Sequence, residues 1–393
     1  MEKTRLGDIA TLINGDRGKN YPSQADITDK GDIPFVNAGH LNGRNIDFDK
    51  MNYISGDKYN RLNSGKFMKG DILYCLRGSL GKKALVNEDM VGAIASSLVI
   101  IRPDYNRIDA EYLMLSLDSS SIKEQLTKAN NGSSQPNLSA ASVRDYQIII
   151  PDIQKQKDIA RKLSKVRTVI DSRQHELYLL ENLIKARFVE MFGDPVRNEK
   201  EWQTKALEDA CKSIVDCPHS TPSYTSEDTG FMCIRTSIVK KNRIMWENIE
   251  YIPEEEYIQR IQRKRPEKGD VIYTREGAIL GIAAVIDRDC NVALGQRSML
   301  LSPDRAFCTP EFISVAMNFD SFLDNALKGM SGSASPHINV GDIKAFKMIL
   351  PPISQQETFS AFVAQVDKSK SVVQKSLDEA QLLFDSLMQQ YFG

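Results

Sequence analysis

The sequence predicts an α+β protein built as a tandem duplication, in which two similar globular halves alternate with two long helices that pair antiparallel with pseudo-two-fold symmetry. Three observations predict it. Short motifs recur along the chain at a near-constant offset, and a heptad apolar period follows each globular half. The globular halves themselves read as short strands with a few helices and no regular alternation of the two.

The duplication is visible in four pairs of segments. Lys69-Gly70-Asp71-Ile72-Leu73-Tyr74 returns as Lys268-Gly269-Asp270-Val271-Ile272-Tyr273. Gly132-Ser133-Ser134-Gln135-Pro136-Asn137-Leu138 returns as Gly332-Ser333-Ala334-Ser335-Pro336-His337-Ile338. Ile149-Ile150-Pro151-Asp152-Ile153 returns as Ile349-Leu350-Pro351-Pro352-Ile353, and Phe192-Gly193 as Phe392-Gly393. The expected division is a first globular unit over 1–150, a helix over 151–195, a second unit over 196–350 and a last helix over 351–393.

Each globular unit is short strands. Ile72–Leu76, Leu98–Ile101, Gln147–Ile150, Val271–Tyr273 and Ser298–Leu301 are apolar runs bounded by turn residues. Asp109–Leu117 and Pro310–Asn318 are short amphipathic helices in equivalent places. Lys69-Gly70-Asp71 and its copy read as turns into strands.

The helices are set by register. Ile159, Leu163, Val166, Ile170, Leu177, Leu180 and Ile184 lie on a register that steps alternately by four and three, and the same register carried 200 residues on holds Phe359, Val363, Val366, Val373, Leu377, Phe384 and Leu387. An apolar period of about 3.5 held over about five heptads in both copies predicts a coiled-coil seam. Pro151 and Pro351 stand just before the helices, where proline is tolerated. Arg173, Arg187 and Lys370 interrupt the seam, either snorkelling at a wet edge or specifying register. A helix of about 36 residues is roughly 54 Å long, one to two turns of B-DNA at about 34 Å each.

Composition bounds the function classes. Of 393 residues 41% are hydrophobic and 26% charged, the balance of an ordinary globular chain with room for two or three domains. No stretch approaches the roughly 18 apolar residues of a membrane span, and the N-terminus has no apolar signal core, so a cytoplasmic protein is expected. The six cysteines form no C-x-x-C pair, which predicts reduced, buried thiols and no metal site. Lysine and arginine total 51 against 52 acidic residues. A nucleic-acid surface would therefore have to be local, or a partner would supply much of the phosphate neutralisation.

Enzyme motifs are missing as well. The sole Pro-Pro, in Leu350-Pro351-Pro352-Ile353, has neither the acid or amide before it nor the aromatic after it that a DNA methyltransferase loop carries. No P-loop occurs, and none of the four histidines sits in a His-Glu-x-x-His pattern.

The ordered set of Lys-Gly-Asp-Ile-Leu, Gly-x-x-x-Pro-x-Leu and Ile-Pro-x-Ile-x-x-Gln, repeated around two heptad helices, resembles the specificity subunit of Type I restriction–modification enzymes, the HsdS family. Phe188-Val189-Glu190-Met191-Phe192-Gly193-Asp194-Pro195 and Cys217-Pro218-His219-Ser220-Thr221-Pro222 add to the resemblance, which covers essentially the whole chain. It implies that each unit is a target recognition domain reading one half of a bipartite, asymmetric sequence in double-stranded DNA. The helices would set the spacer and dock two methyltransferase subunits, with restriction and translocase subunits attached through them. The chain itself would be non-catalytic and hold no cofactor, with S-adenosylmethionine, ATP and Mg confined to the partners. A coiled-coil adapter between proteins, and a DNA-modifying enzyme with a scattered active site, are the alternatives.

Three sets of loop residues are expected at the DNA. The first is Arg17, Lys19, Asn20 and Tyr21, with His219, Ser220, Thr221 and Tyr224 where Val215–Pro222 takes the place of Asn14–Pro22. The second is Arg77 and Arg275, each with a glycine at hand. The third is Ser133, Ser134, Gln135 and Asn137, with Ser333, Ser335 and His337. These types bond to base edges and phosphates, and equally form turns. Lys264 and Arg265, from the dense basic run Arg260–Arg265, are a phosphate clamp or a solvated face.

Overall fold

The computed structural model describes residues 3–129, 137–277, 279–328 and 337–393. It divides into two compact units: Met1–Gln174 with Lys375–Gly393, and His175–Gln374. Adding 200 to the residue numbers of the first segment, and subtracting 200 from the second, reproduces the other unit almost to the residue. The duplication is thus carried through the division, and each unit takes one part of each long helix.

In the first unit a four-stranded antiparallel sheet runs in the order Ala10–Asn14, Leu98–Pro103, Ile72–Cys75 and Lys83–Leu85. Its central strands are apolar at every position but Arg102, which pairs with Asp71 at 2.7 Å, because both faces are covered. Ile72, Tyr74, Val99 and Ile101 point into one core with Tyr112, Leu113 and Leu163. Their alternates Leu73, Cys75, Leu98 and Ile100 point into another with Val36 and Phe67, as the two-residue period of a strand dictates. A second sheet, containing the parallel pair Ile33–Val36 and Gly92–Ile94, covers that second face.

The second unit repeats the plan with Cys211–Asp216, Ser298–Pro303, Val271–Thr274 and Ala283–Val285. Val271, Tyr273, Met299 and Leu301 face the helices, whereas Ile272 and Leu300 face the other way. One difference of register matters below. Val99 pairs with Asn14, but Met299 pairs with Asp216, because a bulge between Cys211 and Ser213 adds a residue. Asp216 is thus the counterpart of Asn14, one residue away from the alignment expected from sequence.

The Gly-Asp turns are structural, as expected. Gly70 and Gly269 have φ of +86° and +91°, a region open to glycine. Asp71 accepts the Met68 N–H and Asp270 the Glu267 N–H, each at 2.9 Å.

The long helices span Ile153–Phe192 and Ile353–Phe392. In the first unit Ile159, Leu163 and Ile170 are buried with Phe384, while Val166, Leu377 and Leu387 pack beside them. The Arg167 guanidinium lies 4.4 Å from the Phe384 ring centre. In the second unit Ile184 is buried with Phe359, Val363 and Val366, and Leu180 packs alongside. The early part of one helix thus meets the late part of the other in each unit, so the pairing is antiparallel. Val373 is buried and Leu177 half-buried, yet neither belongs to an apolar cluster. Arg187 lies over Phe362 at 5.8 Å while its charge meets Glu190 at 2.7 Å, and Lys370 meets Asp367 at 3.4 Å. Arg187 follows the snorkelling reading, whereas the Lys370 side chain is only 13% exposed and holds its charge against Asp367.

Phe188 and Phe192, one residue past the heptad register, extend the seam into the core of the second unit. Phe188 stacks on Phe312 at 5.3 Å, and the other contacts of the two rings with Phe312 and Phe359 are edge-to-face at 5.1 to 5.6 Å. All six cysteines are free thiols, five of them buried. No helix among the described residues is long and apolar enough to cross a membrane.

Candidate nucleic-acid interface

In the first unit three loops meet at the end of the main sheet. The strand Ala10–Asn14 ends at Gly15, where a Cβ would stand 2.7 Å from the Ala95 carbonyl oxygen, so the crossing needs glycine. Asp16 then accepts the N–H groups of Gly18 and Asn63, both at 2.8 Å. These bonds stabilise the carboxylate and hold its pKa below the ordinary value. The turn they fix leaves Arg17 exposed, with one guanidinium nitrogen donating to the Ser96 carbonyl at 3.4 Å.

The second loop follows Ile72–Cys75. Leu76 is buried, Arg77 is exposed, and Arg77 forms an isolated antiparallel bridge with Asn137, the last residue of the third loop set. Leu138 donates its N–H to the Leu76 carbonyl at 2.8 Å, closing that junction. A pocket of about 460 Å³ lies between the loops, lined among others by Asn14, Asp16, Arg17, Ser64, Arg77 and Asn137. One residue from each expected loop set therefore lines one pocket. Asn14, Asp16 and Ser64 were not among the expected residues; Ser64 comes from the turn between the helix Gly56–Arg61 and the strand Lys66–Phe67 and carries no local signal.

Not every expected residue is placed to touch a ligand. Lys19 is exposed and Asn20 half-buried. Tyr21 packs edge-on against Phe35 at 5.9 Å and accepts the Ser96 N–H at 3.4 Å, so it braces the loop from inside. Ser133, Ser134, Gln135, Ser333 and Ser335 lie outside the described residues.

The same junction in the second unit has different chemistry. Arg275, expected as an exposed cation like Arg77, is 5% exposed and occupies the place of the buried Leu76. A guanidinium taken out of water requires carboxylate partners. Its Nε donates to Asp216 at 3.0 Å, and Nη2 stands 2.9 Å from Glu276. Nη1 donates to the Ile338 carbonyl at 3.4 Å. The expectation for Arg275 is corrected accordingly: it ties three loops together from within. The counterpart of Arg77 is Glu276, which bridges His337 as Arg77 bridges Asn137. His219 is exposed, with Nε2 3.1 Å from Asp216.

The basic run is similarly divided. Arg260 is buried and donates to Glu256 at 2.9 Å and to the Ser220 carbonyl and hydroxyl at 2.8 and 3.2 Å. Lys264 pairs with Asp270 at 3.2 Å, which commits the ammonium to the turn, while Arg265 is exposed and donates to Asn291 at 3.0 Å. Tyr224 is half-buried with the Arg235 guanidinium 4.6 Å from its ring centre, and burial raises its hydroxyl pKa. Thr221 is exposed. Among the described residues no group of three or more His, Cys, Asp or Glu side chains could hold a metal ion.

Comparison with known proteins agrees with this plan. The Type I restriction enzyme MjaVIII specificity subunit of Methanocaldococcus jannaschii is 21% identical over 96% of this chain and 88% of its own length. The EcoKI specificity subunit of Escherichia coli is 21% identical over 98% of this chain and 86% of its own. The fold matches the S subunit of a Type I restriction–modification system from M. genitalium with a TM-score of 0.61, at 14% identity, covering 100% of this chain and 96% of that one. The family model of the Type I restriction modification DNA specificity domain matches twice, over residues 1–182 and 199–381. A chain matched by that domain over nearly its whole length, and carrying one junction of three loops in each copy, belongs to the Type I restriction–modification specificity subunit family.

Proposed function

We propose that this chain is the non-catalytic DNA-reading subunit of a Type I restriction–modification complex, each unit reading one half of a bipartite, asymmetric target. The observation that carries the proposal is the pair of junctions at the same place in the repeated fold, one presenting Arg17 and Arg77, the other Glu276 and His219. A shared scaffold with different chemistry at one place suits two different half-sites.

The long helices set the spacer and dock two methyltransferase subunits, through which restriction and translocase subunits attach. Docking is supported by large apolar side chains that the helices leave exposed, to the extent that they form a continuous apolar surface. They include Val169, Leu382 and Leu383 in the first unit and Leu179, Leu183 and Val372 in the second. A net charge of −1 suits a subunit whose partners neutralise many of the phosphates. S-adenosylmethionine, ATP and Mg act on those partners, and the isolated chain turns over none of them.

The test is exchange of residues 1–150 for the corresponding head of a relative with a different target, in a host that co-expresses the methyltransferase, followed by methylome sequencing. One half of the methylated motif changes while the other half and the spacer stay. A change in both halves, or in neither, would refute the two-reader reading. Methylation by the purified chain alone would instead overturn the reading that it is non-catalytic.

A further inference from the structure

Arg77 and Glu276 occupy the same backbone position with opposite charge. Each stands two residues after a central strand, Ile72–Cys75 or Val271–Thr274. Each bridges the last residue of the third loop set, Asn137 or His337. The residue before each accepts one further bond, from Leu138 N–H to Leu76 at 2.8 Å and from Ile338 N–H to Arg275 at 2.9 Å. The glycine after each has φ of +80° or +86°. The backbone is shared, and the side chains are what differ.

The differences form a matched set. Buried Leu76 becomes buried Arg275, and Asn14 becomes Asp216, whose carboxylate receives the guanidinium at 3.0 and 3.3 Å. Arg275 also holds Glu276 by Oε1 at 2.9 Å. A carboxylate has a second oxygen to offer, and the Glu276 side chain is 29% exposed. At a DNA surface this group is repelled by every phosphate. In the major groove the DNA groups from which it can accept are the exocyclic amino groups of cytosine and adenine; the amino group of guanine lies in the minor groove.

We propose that Glu276 is a specificity-determining residue of the second unit. Its carboxylate accepts from one exocyclic amino group, cytosine N4 or adenine N6, in the half-site that this unit reads. Arg275 is the positioning residue that aims it. The inference rests on the reading of the second unit as a DNA reader, and it assigns the chemistry of one contact there.

The experiment uses the chain assembled with its methyltransferase subunits. Once the methylated motif is known, duplexes are made in which each cytosine of the second half-site in turn is replaced by 2-pyrimidinone, and each adenine by purine, so that a single amino group is lost. One replacement weakens binding by about tenfold or more. In the complex carrying Glu276→Ala the natural duplex is weakened similarly, and that same replacement has no further effect. The position at which coupling appears says whether cytosine or adenine is read.

If E276A weakens binding while every replacement keeps its native effect, Glu276 is only a strut for Arg275 and the proposal is overturned. Should E276A fail to assemble, E276Q, which keeps a bond to Arg275, decides. Its preference then shifts at one base pair of the second half-site, or the proposal falls. A complex with no sequence-specific binding at all would instead sink the DNA-reading function itself.

Discussion

Gln156 and Gln356, 200 residues apart, make the same three hydrogen bonds in their two units. Each is fully buried, one turn into a long helix. Gln156 accepts the Asp109 N–H at 2.8 Å and donates to the carbonyls of Arg107 and Pro151 at 3.0 and 2.9 Å. Gln356 accepts the Thr309 N–H at 3.1 Å and donates to the carbonyls of Phe307 and Pro351 at 3.0 and 2.8 Å. Asp109 and Thr309 are in turn the N-caps of the helices Ala110–Ser116 and Pro310–Met317. One amide thus locks each long helix to the unit it follows.

Removing that amide leaves one backbone donor and two acceptors without partners in a dry place, which costs more than the net worth of the bonds. Gln156→Ala is expected to destabilise the first unit by about 2–4 kcal/mol and leave the second nearly unchanged, with the reverse for Gln356→Ala. Amide hydrogen exchange resolves the units: Q156A accelerates exchange around Asp109–Leu113 and spares Thr309–Met317. Equal acceleration in both would show that the clamp is not local.

The Arg275 cluster predicts a non-additive pair. Arg275→Leu copies Leu76 of the first unit but leaves the Asp216 carboxylate only the exposed His219 for a partner, at a cost of about 3–5 kcal/mol. Adding Asp216→Asn copies Asn14 as well and removes that charge. The double variant is expected to recover most of the loss in urea denaturation, giving a coupling of at least about 2 kcal/mol. Additive losses would mean that the two side chains act independently, against the 3.0 Å geometry.

Asp16 gives the first-unit loop a defined response to acid. Its pKa is lowered by the N–H bonds of Gly18 first and Asn63 second. A carboxylate with a depressed folded pKa stabilises its loop fully above the ordinary value of 3.8, and that contribution is lost as pH falls through the folded value. Exchange of the Gly18 and Asn63 amides, corrected for intrinsic rates, should lose protection below about pH 4. Asp16→Asn, with no carboxylate to protonate, is expected to weaken protection at pH 7 and to flatten its pH dependence. An unchanged acid profile in D16N would remove Asp16 as the cause.

The repeat and the helices were legible in the sequence because periodicity survives translation into structure: a seam of Ile159, Leu163 and Ile170 has one way to be buried. The strands Ile72–Cys75 and Leu98–Pro103 were legible for a related reason, since four or more apolar residues in a row have to be covered on both faces. Phe188 was not, because strict heptad counting places Arg187 on the seam, while the end of the helix extends the seam, one residue out of register, into the core beneath Phe312. Arg275 was misread for a different cause. Its environment is decided by Asp216, 59 residues away, and a one-residue bulge hides which residue of that strand lies opposite. Loop residues such as Tyr21 and Lys264 have side chains equally suited to bind a ligand or to brace a turn, and only their neighbours decide between the two.

Arg17 and Arg77 both face solvent at the pocket of the first unit, yet their settings predict different effects on DNA binding. Arg17 rides on the Asp16 turn, outside the sheet, and its exposed guanidinium, which donates once to the Ser96 carbonyl at 3.4 Å, has donors left to meet a phosphate. Arg77 takes the backbone place of Glu276 and sits beside Asn137, where an arginine suits the O6 and N7 of guanine. In the complex with the methyltransferase subunits, Arg17→Ala is therefore expected to weaken target and non-target duplexes alike and to lower the slope of log K against log salt by about 1. Arg77→Ala should cost about 1–3 kcal/mol on the target alone and relax one position of the first half-site. Titrations at several salt concentrations, together with methylome sequencing of each variant, separate the two effects. A changed motif in R17A, or a uniform loss in R77A, would reverse the assignment of base and phosphate between these two arginines.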